Sequence, residues 1–156
     1  YLEMIEKKTG SLLGACAEMP ATLVGADEEV IDDFDKFGRA LGIGFQIHDD
    51  LLEIYGNPDD MGKSLGSDIA EGKQTLMVIK ARNQFRKEWG EIVGDPGRID
   101  LMEKIRSFFT EKGIEGESKS MAQSYFKTAR ESLENISDIN RDELNEFVNL
   151  VENRTY

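Results

Sequence analysis

The stretch FQIHDDLLE, residues 45–53, concentrates side chains that do chemistry. An α-helix turns about 100° per residue, so with Gln46 at zero Asp49 falls at about −60°, Glu53 at about −20° and Asp50 at about +40°. The four side chains share one side of the helix. Asp49, Asp50 and Glu53 stack there without an interleaved lysine. Like charges at such spacing destabilise a helix by about a few tenths of a kcal/mol per pair. A cation among them would relieve that repulsion, and all-oxygen ligands favour Mg²⁺ or Mn²⁺. The competing reading is a solvated polar face over an apolar one.

The segment that follows, GKSLGSDIAEGKQT at residues 62–75, is glycine-rich and carries Lys63 and Lys73. Glycine permits close backbone approach, and lysines are point charges suited to phosphate oxygens. Asp68 has the chemistry to pin a lysine or orient a metal-bound water. Carboxylates holding a hard cation, with lysines nearby, suit a diphosphate that bridges the two. Taken alone, the segment also reads as a surface loop. A further Lys-Thr pair, Lys8-Thr9, lies near the start of the chain. His48, the only histidine, falls among apolar positions and is read as a packing residue with a satisfied hydrogen bond.

The elements that must position these groups are helical, because no segment sustains a two-residue alternation. Helices are expected at about residues 1–16, 28–55, 74–89, 98–111, 117–136 and 141–153. The first should end before Met19-Pro20. Asp27 is the expected N-cap of the second, and Gly56-Asn57-Pro58 its stop. Gly113 should close the fourth, and Asn140 with Glu143 should form a capping box on the sixth. The second helix sets Val30, Phe34, Phe37, Leu41, Leu51, Leu52 and Tyr55 opposite its polar stripe, which Asp35, Arg39 and Gly42 extend. On the sixth, Leu144, Phe147, Val148 and Val151 form the apolar face.

The chain's 156 residues match one domain, and 39% are hydrophobic, enough for a core. A net charge of −12 argues against a basic nucleic-acid surface and against attraction to an anionic membrane. No apolar run approaches the ~20 residues of a membrane span. The single cysteine, Cys16, has no internal disulfide partner, which fits a reducing, cytoplasmic setting.

Together these residues resemble the trans-isoprenyl diphosphate synthases, the family of farnesyl and geranylgeranyl diphosphate synthases. The family's second aspartate-rich motif, FQxxDDxxD, is matched by residues 45–53. Its following GKxxGxDxxEGKxT segment is matched by Gly62, Lys63, Gly66, Asp68, Glu71, Gly72, Lys73 and Thr75, and its Lys-Thr pair by Lys8-Thr9. The resemblance covers essentially residues 1–156, as the C-terminal half of such a synthase. It implies an all-α fold, the C-terminal portion of an isoprenoid synthase-type helical bundle. It also implies a reaction: Mg²⁺ helps an allylic diphosphate ionise, and the double bond of isopentenyl diphosphate attacks the cation. In these roles Asp49, Asp50 and Glu53 serve the metal, directly or through water. Lys8, Lys63 and Lys73 bind the allylic diphosphate, while Thr9 and Gln46 line the reacting end. A homodimer is the state the family implies.

Two departures stand out. The third acid is Glu53 where the family has aspartate, and the extra methylene moves the carboxylate by about 1.5 Å. The first aspartate-rich motif, DDxxD, is not in this sequence, nor is the arginine pair that follows it. The leading expectation is therefore half an active site on a piece of a longer chain that is inactive and self-associating by itself. A non-catalytic partner subunit of a heteromeric synthase is the alternative from another class. A class I terpene cyclase or a tail-to-tail condensing relative is a third.

Overall fold

The computed structural model describes residues 1–56, 69, 71–94, 99–137 and 139–154. Lys63, Asp68 and most of the glycine-rich segment lie outside the described residues, so their expected roles have no structural counterpart here. Among the described residues the fold is all-α, with no strand. The helices are α1 (Leu2–Ile5), a π-helical turn (Glu6–Gly10), α2 (Ser11–Leu23), α3 (Glu28–Tyr55), α4 (Leu76–Gln84), α5 (Arg86–Val93), α6 (Leu101–Glu111), α7 (Ile114–Glu134) and α8 (Arg141–Glu152). The chain forms two compact units: Tyr1–His48 with Met121–Arg154, and Asp49–Ser120.

In the first unit α2 and α3 approach through glycines. A β-carbon at Gly38 would overlap the Leu13 carbonyl, and one at Gly42 would lie 2.9 Å from the Gly10 α-carbon. Gly10 and Gly14, like Gly38 and Gly42, stand one helical turn apart, so the two backbones touch along matching rows. The expected polar stripe at Asp35, Arg39 and Gly42 therefore faces α2 as well as solvent. Phe37, Leu41, Ile43, Ile47, Phe126, Leu133 and Val148 form the core. His48 packs as expected: its Nε2 lies 3.0 Å from the Arg154 carbonyl oxygen, and its ring meets Phe126 edge-on. On α8 only Val148 of the expected apolar face is buried, and Phe147 is half exposed.

The second unit is built on Leu51, Ile54, Met77, Ala81, Trp89, Ile105, Phe109 and Ile114. Trp89 stacks on Phe109 with ring centroids 5.4 Å apart, and Phe85 meets Phe108 edge-on at 5.9 Å.

Several boundaries differ from the sequence reading. The first helix does not stop before Pro20: α2 carries Pro20 inside it and runs to Leu23. Its terminator is Gly25, at φ 70°. The Gly25 amide donates to the Thr22 carbonyl and the Ala26 amide to the Ala21 carbonyl, a Schellman ending. The helix expected at 74–89 is two, broken at Phe85 (φ −132°, ψ 39°). The break lets Phe85 and Trp89 both join the aromatic cluster. The fourth helix begins at Leu101 rather than 98, and the fifth runs Ile114–Glu134. Gly113, at φ 73°, separates these two as expected. Asn140 does not cap α8 through its side chain; its amide donates to the Glu143 carboxylate at 2.9 Å. α3 occupies its expected span, and the Asp27 carbonyl accepts from the Val30 and Ile31 amides at its start.

Candidate active site

Within the first unit, the Lys-Thr pair sits in the π-helical turn, where the Ser11 amide donates to the Glu6 carbonyl. Thr9 Oγ1 donates to Gln46 Oε1 over 3.4 Å, joining the pair to the FQ of the motif. Lys8 is exposed. It lines a cavity of about 350 Å³ with Thr9, Leu12, Leu13, Leu41, Phe45, Phe147 and Val151. A cationic and hydroxyl-bearing edge on an otherwise apolar recess suits an amphiphile with a charged head.

Within the second unit, Asp50 is 2% exposed, which rules out a solvated face at that position. Lys73 Nζ stands 3.4 Å from its Oδ1. A carboxylate so buried persists as a charge only when paired. The separation exceeds the roughly 2.7–2.9 Å of a tight charge-assisted bond. Asp49 and Glu53 are half-buried on the same helix. Gly72, at φ 74°, and Thr75, whose Oγ1 accepts from the Val78 amide as the N-cap of α4, fix the backbone on either side of Lys73.

The donor chemistry of Asp49, Asp50 and Glu53 fits a hard divalent cation. Among the described residues, however, no three carboxylate, histidine or cysteine side chains are grouped to hold a metal ion.

Sequence reasoning missed the groups that fasten the end of α3. Arg106 Nε donates to the Ile54 carbonyl at 2.6 Å, and the Tyr55 hydroxyl donates to the Arg106 carbonyl at 3.4 Å. A cation at this carbonyl offsets the negative end of the helix dipole, where the acids stack and no basic residue occupies the last turn. Burial, then the nearby Glu115 carboxylate, push the Tyr55 hydroxyl up to about 12, against a hydrogen bond with Thr110. Burial would raise the Glu115 carboxyl, but hydrogen bonds from Lys119 and Thr110 outweigh it and hold the group below the usual range. Helical spacing places Tyr55 on the apolar side of α3, and nothing in that spacing marks the clamp.

A family model described as polyprenyl synthetase matches residues 1–108. The geranylgeranyl pyrophosphate synthase of Geoglobus acetivorans is 42% identical over 138 residues, covering 88% of this chain and 43% of that protein. A decaprenyl diphosphate synthase from Rhodobacter capsulatus superposes with a TM-score of 0.85 at 31% identity, over 100% of this chain and 50% of that one. A polyprenyl synthase from Caulobacter crescentus CB15, complexed with calcium and isoprenyl diphosphate, gives a TM-score of 0.83 at 28% identity, over 100% and 49%. The helices and the two motifs thus fall in the class of all-α isoprenyl synthases, and the chain belongs to the polyprenyl synthetase family. It spans about half the length of the curated relatives it matches. No helix among the described residues is long and apolar enough to cross a membrane.

Proposed function

We propose that this chain supplies the second aspartate-rich half of a prenyltransferase site that condenses an allylic diphosphate with isopentenyl diphosphate. The observation that carries the reading is the Lys73–Asp50 pair: a lysine of the glycine-rich segment stands beside the buried carboxylate of the aspartate motif. In that arrangement a diphosphate oxygen can replace the carboxylate at the lysine while the carboxylate turns to a cation. Lys8, Lys63 and Lys73 bind the allylic diphosphate and stabilise the negative charge that grows as its C–O bond breaks. Asp49 and Asp50 are the residues that would hold Mg²⁺ or Mn²⁺, with Glu53 reaching it directly or through water. The bound ion supplies Lewis-acid charge to the departing diphosphate. Thr9 and Gln46 present oxygens at the reacting end, where positive charge develops on the allylic carbon. The new carbon–carbon bond takes its electron pair from the double bond of isopentenyl diphosphate, and loss of a proton restores a double bond.

The apolar side chains left open on α2, with Leu12 65%, Met19 55% and Leu23 80% exposed, fit a homodimer or further assembly. The sequence lacks the first acidic motif, so the chain alone should not turn over. The test is a product assay with geranyl and isopentenyl diphosphates, on the 156-residue chain alone and on a chain that also carries a DDxxD half. Product is expected only from the latter. Lys63→Ala and Lys73→Ala should each lower its activity by about ten- to a hundredfold, the worth of one charge-assisted hydrogen bond. Sustained product from the chain alone would overturn the half-site reading, and unchanged kinetics in both variants would remove the lysines from it.

A further inference from the structure

A π-helical turn is rare, appears mostly as a single turn within an α-helix, and persists where something holds it. The turn at Glu6–Gly10 is held from α3. Arg39 Nε donates to Asp35 Oδ2 at 2.6 Å, which sets the guanidinium plane. Its Nη1 donates to Ser11 Oγ at 3.2 Å and lies 3.6 Å from Glu6 Oε1. Ser11 Oγ in turn donates to the Glu6 carbonyl oxygen at 3.1 Å, the same atom that accepts the Ser11 amide across the turn. Both ends of the π-helical turn are thus fastened to one guanidinium. Close contact of Gly10 with Gly42 leaves the backbone no space to move toward α3. If the turn relaxed to an α-helix, the Ser11 amide would pair one residue later. Everything before it would rotate by about 100° about the axis. Thr9 would then lose its bond to Gln46, and Lys8 would leave the edge of the cavity.

We propose that Arg39 is a positioning residue: with Asp35, Glu6 and Ser11 it holds the π-helical turn and so sets Lys8 and Thr9 against Gln46. The proposal rests on the reading that Lys8 and Thr9 serve the substrate. It adds the device that aims them. A misplaced Lys8 would forfeit up to one charge-assisted hydrogen bond to diphosphate, about ten- to a hundredfold in affinity.

The test uses the 156-residue chain with two readouts. The first is the NMR resonance of the Gln46 side-chain amide, which reports the Thr9 bond. The second is calorimetric affinity for inorganic diphosphate with MgCl₂. Arg39→Gln should shift the Gln46 resonance as Thr9→Val does and weaken diphosphate binding by about tenfold. Ser11→Ala, which keeps the packing, should do the same more weakly and serves if Arg39→Gln does not fold. Arg39→Lys should restore part of the binding, since it keeps the charge but not the fork. Ile105→Val, a core change elsewhere, should lower stability without moving the Gln46 resonance. A Gln46 resonance and affinity unchanged in both Arg39→Gln and Ser11→Ala would overturn the inference. Diphosphate affinity unchanged in Lys8→Ala would instead refute the reading beneath it, and the Gln46 resonance would still decide the role of Arg39 in the turn.

Discussion

Thr9 Oγ1 donates to Gln46 Oε1 across 37 residues of sequence, tying the Lys-Thr pair to the head of the aspartate motif. A single part-buried bond of this length contributes about 0.5–1.5 kcal/mol at most. Thr9→Val should therefore lower the urea midpoint by no more than about 0.75 M, at a slope of about 2 kcal/mol/M. In a chain carrying both acidic motifs it should lower kcat for geranyl and isopentenyl diphosphates by about tenfold, the same bond energy expressed in the reaction. Unchanged kcat would remove the pair from the reacting end.

The glycine rows make a sharper claim about stability. Gly38→Ala drives a β-carbon into the Leu13 carbonyl, and backbone has nowhere to yield. A loss of about 2–3 kcal/mol is expected by chemical denaturation. Gly90→Ala in α5 meets open space and should gain about 0.5–1 kcal/mol through helix propensity. Equal effects from the two substitutions would contradict the close approach of α2 and α3.

Tyr55 gives the pH dependence. Burial pushes its hydroxyl up to about 12 in the folded chain, from an ordinary value of 10.0. Between those values the unfolded state has released a proton that the folded state retains, so stability falls as pH rises through that window. Allowing for its partial exposure, the loss is no more than about 2 kcal/mol. Denaturation curves of the parent and of Tyr55→Phe should run parallel below pH 10 and converge or cross above it. Parallel curves throughout would show that the hydroxyl is not held neutral.

What the sequence disclosed and what it concealed separate along physical lines. α3 was legible because its signals agree: acids in the first turn, a long apolar side, and glycine after the last turn. That Lys73 comes back toward the acids of α3 was legible through residue type, but its pairing with Asp50 in particular and the depth of Asp50 were not, since both depend on neighbours from other elements. Pro20 read as a stop because proline usually ends a helix, whereas the actual ending is set by the left-handed Gly25. The break at Phe85 has no local breaker; it follows from aromatic packing onto Phe108 and Phe109. The glycines one turn apart on two helices were in plain sight, yet their meaning emerges only when the rows face each other. The Arg39 and Arg106 contacts reach across 28 and 52 residues, beyond any periodicity.

If the aspartate motif and Lys73 together receive a metal-bound diphosphate, calorimetry on the 156-residue chain will register it. Inorganic diphosphate should bind more tightly with MgCl₂ than without it, because protein and ligand oxygens complete one shell between them. Asp50→Asn and Lys73→Ala should each weaken that binding by about ten- to a hundredfold. Diphosphate affinity that is indifferent to Mg²⁺ and equal in parent, Asp50→Asn and Lys73→Ala would mean that Asp50 and Lys73 do not form one diphosphate site.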